Sequence, residues 1–199
     1  MRGTANTDID DAVTGKGNAM RLFDLHCDTL YECYLGDSYL ERNQLQVDLK
    51  RGLQYDTWAQ VFAVWMPDTI RGEAAYDQCC SILRFAADQA ALYNDQMKIV
   101  RNADDLTGTA AEHRCAAILA VEGGSAFAGR LQHIDDLAGR GVKIVTLTWN
   151  GSNELGHGSL SGCEDGLTAF GKAAVRRMEK CGMIPDVSHL NERGFWDVT

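Results

Sequence analysis

The sequence predicts an α/β fold, specifically a (β/α)8 barrel of the TIM type that is truncated after about five strand–helix units. Short apolar runs alternate with segments whose apolar residues recur at helical spacing, and no linker or low-complexity insert interrupts this order after residue 20. A closed barrel of this type typically needs about 250 residues. The chain has 199 residues, so we expect it to form the N-terminal part of such a barrel.

Five buried strands are predicted, because continuous apolar runs suit a parallel sheet that is covered on both faces. The clearest run is 142–149, which is rich in β-branched residues. The other four strands are predicted at 22–28, 58–65, 115–122 and 183–189.

Helices are predicted between these strands from their apolar periodicity and from their end signals. The segments 73–93 and 167–180 each carry a broad apolar stripe, and 131–139 ends at a glycine. Asn191 has the features of an N-cap, and a further helical pattern follows it at 192–198.

Composition excludes several classes of partner. The formal net charge is -9, from 19 basic and 28 acidic residues, without a basic cluster, so nucleic acids and anionic membranes are not expected partners. The apolar runs are too short to span a bilayer. Residues 1–19 are polar and lack the apolar core of a secretory signal. They are predicted to be a disordered extension of a barrel part at 20–199, and Met20 is an alternative start.

The seven cysteines are odd in number and include no C-x-x-C pair. This pattern argues against a disulfide framework and against a thiolate zinc finger. Reduced thiols in a cytoplasmic protein are the expectation.

Candidate metal ligands follow the predicted strands. His26 and Asp28 lie two residues apart at the end of the first strand, so their side chains are expected on the same side. Glu122 ends the third predicted strand and His189 the fifth. Taken singly, Glu122 could cap a helix and His189 could be a hydrogen-bonded strand-end residue. Since carboxyl ends of barrel strands converge on one rim, the four together predict a site for zinc or a similar divalent ion.

The remaining histidines and Cys27 are assigned other roles. Cys27 is expected to point to the opposite side of the strand and to pack. His113 and His133 are predicted to be surface residues, whereas His157, in a glycine-rich loop, is left undecided.

These residues lie in stretches that resemble the membrane (renal) dipeptidase family of zinc peptidases, which has an amidohydrolase-like barrel. The resemblance spans roughly residues 21–199 and follows the family's order and spacing. The matching stretches are DLHCDTL at 24–30, AILAVEGG at 117–124, TLTWN at 146–150, GLTAFG at 166–171 and PDVSH at 185–189.

The resemblance implies zinc-dependent hydrolysis of dipeptides by a metal-bridging hydroxide. His26 and Asp28 would hold the first of two zinc ions, Glu122 would bridge both ions as the catalytic carboxylate, and His189 would bind the second. A homodimer is possible. The family's later strands supply another histidine for the second zinc, an arginine for the substrate carboxylate and an aspartate for the proton, so the second zinc site is expected to be incomplete here.

One departure concerns substrate binding. The family often has a histidine where this sequence has Trp149, placed to stabilise the oxyanion, and the loss of one such donor can cost about 10²–10³ in rate. Asn150 is an alternative donor, and Trp149 and Asn150 are predicted to contact the substrate.

Two other functions stay open from the sequence. The chain could be a catalytically inactive truncated barrel that serves as a metal-binding or interaction remnant. It could also belong to another class of metal-dependent amidohydrolase or phosphoesterase barrels, although those usually open with H-x-H rather than H-x-D.

Overall fold

A computed structural model of the protein describes residues 20–199; the predicted disordered extension at 1–19 lies outside the described residues. The described chain forms one sheet in which every strand pair is parallel, in the order β1-β2-β4-β5-β6, with β3 beside β4. The strands are β1 Arg21–Cys27, β2 Thr57–Trp65, β3 Met97–Ile99, β4 Cys115–Glu122, β5 Val142–Thr146 and β6 Ile184–Asp186.

Strand β4 is the centre of the sheet. All eight of its residues are buried, and it pairs with β2 along its whole length. Its other edge is shared: β3 pairs with its first three residues, and β5 pairs with the stretch from Leu119 to Glu122. Glu122 therefore ends the strand that has the most neighbours.

Helices pack on both faces of the sheet, and most of them lie on one face. Side chains cap the first turns of the last two helices: Thr168 Oγ1 accepts a hydrogen bond from Gly171 N at 2.9 Å, and Asn191 Oδ1 accepts one from Gly194 N at 2.8 Å. The helices are α1 Thr29–Leu35, α2 Leu49–Gly52, α3 Glu73–Leu92, α4 Ala103–Ala111, α5 Leu131–Gly139, α6 Ala169–Lys180 and α7 Glu192–Val198, and a 3-10 turn, Gly124–Phe127, follows β4.

The two faces of the sheet differ in burial. The face with most of the helices carries the large core, including the fully buried Phe127. The other face carries a small cluster with Ala59 and Ile118, against which Leu106 of α4 packs. Phe23 pairs in register with Ala59 on this face, and Phe23, Leu25 and Ile184 are 55%, 68% and 60% exposed.

Several predicted elements are confirmed and others need correction. The helices at 73–93, 131–139 and 192–198 and the strands at 22–28, 58–65 and 115–122 match α3, α5, α7, β1, β2 and β4 to within one residue. The predicted burial of the first strand is wrong, because one face of β1 is open and leaves Phe23 and Leu25 exposed. The strands predicted at 142–149 and 183–189 are too long, because β5 and β6 end at Thr146 and Asp186. The short β3 and the helices α1, α2 and α4 were not predicted.

The described chain also bears on two composition-based expectations. All seven cysteines are free, in agreement with the predicted reduced thiols. Among residues 20–199, no helix combines the length and the apolar character needed to cross a bilayer.

Candidate metal centre

The candidate ligands gather at the carboxyl ends of β1, β4 and β6. A register irregularity in β1 between Asp24 and Cys27 precedes the site, and Asp28 is the N-cap of α1 without a side-chain capping bond. The Asp28 carboxylate is thus free to face His26, whose Nε2 lies 3.4 Å from Asp28 Oδ1. The predicted same-side placement of His26 and Asp28 is present in the structure.

Glu122 stands between two imidazole rings. Its Oε2 lies 3.6 Å from His26 Nε2, and its Oε1 lies 3.2 Å from His189 Nε2. Ligand atoms of His26, Asp28 and Glu122 all lie within 4.8 Å of one another. The four sequence-predicted ligands are therefore brought together, with one carboxylate oxygen of Glu122 directed at each histidine.

Burial differs sharply within this set. Glu122 is 7% exposed, whereas the side chains of His26, Asp28 and His189 are 46%, 54% and 37% exposed. Burial raises the pKa of Glu122, and the nearby His26 ring opposes that rise. The pKa of His26 is raised by its hydrogen bond to Asp28, against the effect of burial, and the Glu122 charge adds to the rise. The carboxylates around His26 therefore favour its protonated form.

His189 reaches the site from a turn rather than from a strand. It lies three residues beyond the end of β6, with a positive φ of 64°. Its backbone carbonyl accepts a hydrogen bond from Ser159 N at 2.7 Å, and its ring Nδ1 lies 3.3 Å from Asn150 Oδ1. The predicted position at a strand end was wrong, because the chain leaves the sheet after Asp186.

Asp186 is a site carboxylate that the sequence reasoning did not single out. Burial raises its pKa, but hydrogen bonds from Thr146 and Ser188 outweigh burial and hold the pKa below its ordinary value. Thr146 Oγ1 donates to Oδ2 at 2.6 Å, and Ser188 Oγ donates to Oδ1 at 2.8 Å. The charge of Asp186 raises the pKa of His26 and Glu122. Its place at the end of β6 was the signal that could have identified it.

An aromatic wall made of Tyr31, Trp65 and Trp149 borders the site. The ring centroids of Tyr31 and Trp65 lie 5.3 Å apart and those of Trp65 and Trp149 lie 5.0 Å apart, each pair in an edge-to-face arrangement. The wall, Glu32 and the four candidate ligands line one open cavity of about 390 Å³. Trp149 therefore faces the cavity, while the Asn150 side chain contacts His189.

Cys27 and the remaining histidines do not line this cavity. Cys27 packs in the core, and burial raises its thiol pKa to about 12. His113 is exposed, as predicted. His133 is not a surface residue: its ring stacks on Tyr76 with centroids 3.6 Å apart and is 12% exposed. The His157 Nδ1 lies 2.7 Å from Ser152 Oγ within its own loop.

Solved structures with the same fold confirm the predicted barrel class. The crystal structure of a metallopeptidase, dipeptidase AC, aligns with a TM-score of 0.82 at 22% identity, covering 91% of this chain and 60% of that one. A metallopeptidase from Rhodobacter sphaeroides, liganded with a phosphinate mimic of the dipeptide L-Ala-D-Ala, aligns with a TM-score of 0.82 at 20% identity, covering 91% and 62%. The sheet of this protein is thus part of a TIM-type barrel.

Sequence relatives include a protein named as a dipeptidase and an uncharacterised protein. An uncharacterised protein encoded in the PQQ-III 3' region of Acinetobacter calcoaceticus is 28% identical over 206 residues, which cover 88% of this chain and 65% of that relative. Dipeptidase tcpJ of Claviceps purpurea is 30% identical over 108 residues, covering 53% and 25%. The chain spans less than two thirds of the length of these relatives. Since the family model described as membrane dipeptidase (peptidase family M19) matches residues 17–199, this chain belongs to that family.

Proposed function

We propose that this chain carries the metal-binding part of a metallodipeptidase site that hydrolyses dipeptides with two zinc ions. The observation that carries the proposal is the position of Glu122, with one carboxylate oxygen 3.6 Å from His26 Nε2 and the other 3.2 Å from His189 Nε2. A carboxylate directed at two imidazoles is suited to bridging two cations.

The donor set fits zinc. Imidazole nitrogens and carboxylate oxygens are common zinc ligands, and a buried carboxylate such as Glu122 is costly without a compensating positive charge. His26, Asp28 and Glu122 would hold the first ion, and Glu122 and His189 would hold the second. Bound zinc would act as a Lewis acid and lower the pKa of a bound water from 15.7 to about 7.

The protein's own residues form the cavity in which a dipeptide would bind. We assign Glu122 the catalytic role in this chain, because its buried carboxylate ends the central strand and faces the cavity. The aromatic wall excludes water from one side, and Trp149 supplies an apolar surface for a substrate side chain. The dipeptidase name of the Claviceps purpurea relative and the dipeptide mimic in the Rhodobacter sphaeroides structure support a dipeptide as substrate.

A second candidate function is metal binding without hydrolysis, by an inactive barrel that acts as a metal-binding or interaction remnant. It is favoured by the compactness of one ligand group: His26, Asp28 and Glu122 lie within 4.8 Å of one another, and His189 is outside that group.

Thermal unfolding with and without zinc tests the metal site. At zinc concentrations of about 100 times Kd, binding stabilises a protein by about 2.7 kcal/mol, which raises Tm by roughly 5–11 °C for a domain of this size. We expect His26→Ala to abolish this shift. His113→Asn is the matched control, since His113 is exposed and asparagine tolerates its positive φ. Equal melting curves with and without zinc contradict the proposal.

A dipeptide hydrolysis assay separates the two candidate functions. Zinc-dependent cleavage of a dipeptide by the purified chain, absent in Glu122→Gln, supports the dipeptidase. A zinc-dependent Tm shift without cleavage favours the inactive metal-binding protein.

Two further expectations remain proposals. A cytoplasmic location is supported by the seven free cysteines and can be tested by cell fractionation. A homodimer can be tested by sedimentation analysis of the purified chain.

A further inference from the structure

The loop at 150–159 holds the turn that carries His189 through several contacts. Asn150 Oδ1 lies 3.3 Å from His189 Nδ1, and Ser159 N donates to the His189 carbonyl at 2.7 Å. Gly158 and Leu190 form an isolated antiparallel bridge. These contacts reach the ring, the carbonyl and the next residue of His189.

This support matters because His189 has an unfavourable backbone conformation. Its φ of 64° lies in the left-handed region, which non-glycine residues adopt at a cost and keep only when their surroundings over-determine it. The contacts from the loop therefore maintain the turn that aims the ring.

The loop is itself attached to the segment that follows β2. Asp68 Oδ2 accepts a hydrogen bond from Gly151 N at 2.8 Å, and the Arg71 guanidinium donates to the Ser152 carbonyl at 2.6 Å. Asn150 directly precedes these anchored residues, so its backbone position is defined by the segment between β2 and α3.

We infer that Asn150 is a positioning residue for His189, an inference that rests on the proposed metallodipeptidase function. Its amide oxygen can only accept a hydrogen bond, so it selects the His189 tautomer that carries a proton on Nδ1. The lone pair of Nε2 then faces Glu122, 3.2 Å away. Metal-ligating histidines usually donate their other N–H to an oxygen, and the loss of that oxygen typically lowers metal affinity about 10–100-fold.

Zinc calorimetry on the full chain tests this role. Asn150→Leu removes the acceptor and is expected to weaken zinc binding at the His189 site about 10–100-fold. Asn150→Asp keeps an acceptor oxygen and should bind zinc nearly as the native chain does. Ser152→Ala is the matched control in the same loop, because Ser152 Oγ contacts His157 and not His189.

A double-mutant cycle distinguishes positioning from a general effect on the loop. If Asn150 acts through the His189 ring, Asn150→Leu should have no further effect on zinc affinity in a His189→Ala background. An equal loss of affinity in both backgrounds, or an unchanged affinity in Asn150→Leu alone, would overturn the inference.

Crystal structures of the metal-free chains decide the inference independently of zinc. We expect the same His189 ring orientation in the native chain and in Asn150→Asp, and a rotated or disordered ring in Asn150→Leu. An unchanged, ordered ring in Asn150→Leu would overturn the inference even if zinc binds. A native chain that binds no zinc would instead contradict the proposed function and leave this structural comparison to decide the role of Asn150.

Discussion

Replacing Gly171 with alanine should push α6 away from the loop that precedes it. Gly171 is the third residue of α6, and a Cβ atom there would lie 1.9 Å from the Leu155 carbonyl oxygen. That oxygen accepts a hydrogen bond from Thr168 N at 2.9 Å, and the Leu155 side chain is fully buried. The carbonyl therefore cannot turn away without losing a hydrogen bond, and the helix must move instead.

Two opposing effects determine how much Gly171→Ala changes the free energy of unfolding. Alanine in place of glycine stabilises a helix interior by about 1 kcal/mol. Overpacking of a dense interior costs about 1–3 kcal/mol, and a contact with backbone at 1.9 Å belongs at the upper end of that range. We expect Gly171→Ala to lower the free energy of unfolding by about 1–2 kcal/mol, which corresponds to a Tm lower by roughly 2–8 °C.

The assay is thermal unfolding followed by circular dichroism, with Gly108→Ala as the matched control. Gly108 lies inside α4 and is exposed, and a Cβ atom added there would meet no heavy atom within 4 Å. At this position only the higher helix propensity of alanine acts, so Gly108→Ala should raise the free energy of unfolding by about 0.5–1 kcal/mol. A Gly171→Ala chain as stable as Gly108→Ala would refute the reasoning about the Leu155 contact.

Three further changes test the core, a helix cap and an ion pair. Phe127→Ala should destabilise the chain by about 3–5 kcal/mol in urea unfolding, because the ring is fully buried. Asn191→Ala should cost about 0.5–2 kcal/mol, since its side chain caps α7 through Gly194 N. The hydrogen bond from Lys172 holds the pKa of Asp197 below its ordinary value. The stabilisation that the ionised Asp197 contributes is therefore present above about pH 4 and is lost as the pH falls through the lower folded pKa. Asp197→Asn should therefore destabilise the chain at about pH 7 and have less effect at about pH 2, and equal effects at both pH values would contradict this assignment.

The sequence located most accurately the strand whose burial is continuous. Strand β4 is buried at every residue, so its apolar run had a clear start and a clear end at Glu122. Strand β3 is not predicted because it has only three residues and the middle one, Lys98, is exposed. A strand of three residues is too short to give a recognisable apolar pattern in the sequence.

Where apolar residues continue beyond the sheet, the sequence could not locate the strand ends. Leu147 is fully buried in the core although β5 ends at Thr146, and its carbonyl accepts a hydrogen bond from Asn153 Nδ2 in the loop that follows. For the same reason, the sequence wrongly predicts that His189 lies at the end of a strand. The predicted ligand set nevertheless came together, because the turn after β6 returns His189 to the rim.

The three-way pairing of β4 has a consequence for metal choice. Glu122 ends a strand held on both edges, so its carboxylate has little freedom to adjust to a bound cation. The flanking side chains of His26, Asp28 and His189 are partly exposed and can shift with the size of the ion. Under the proposed function, we expect the centre to accept divalent cations of different radius, with Glu122 fixed and the three exposed side chains adapting to each ion.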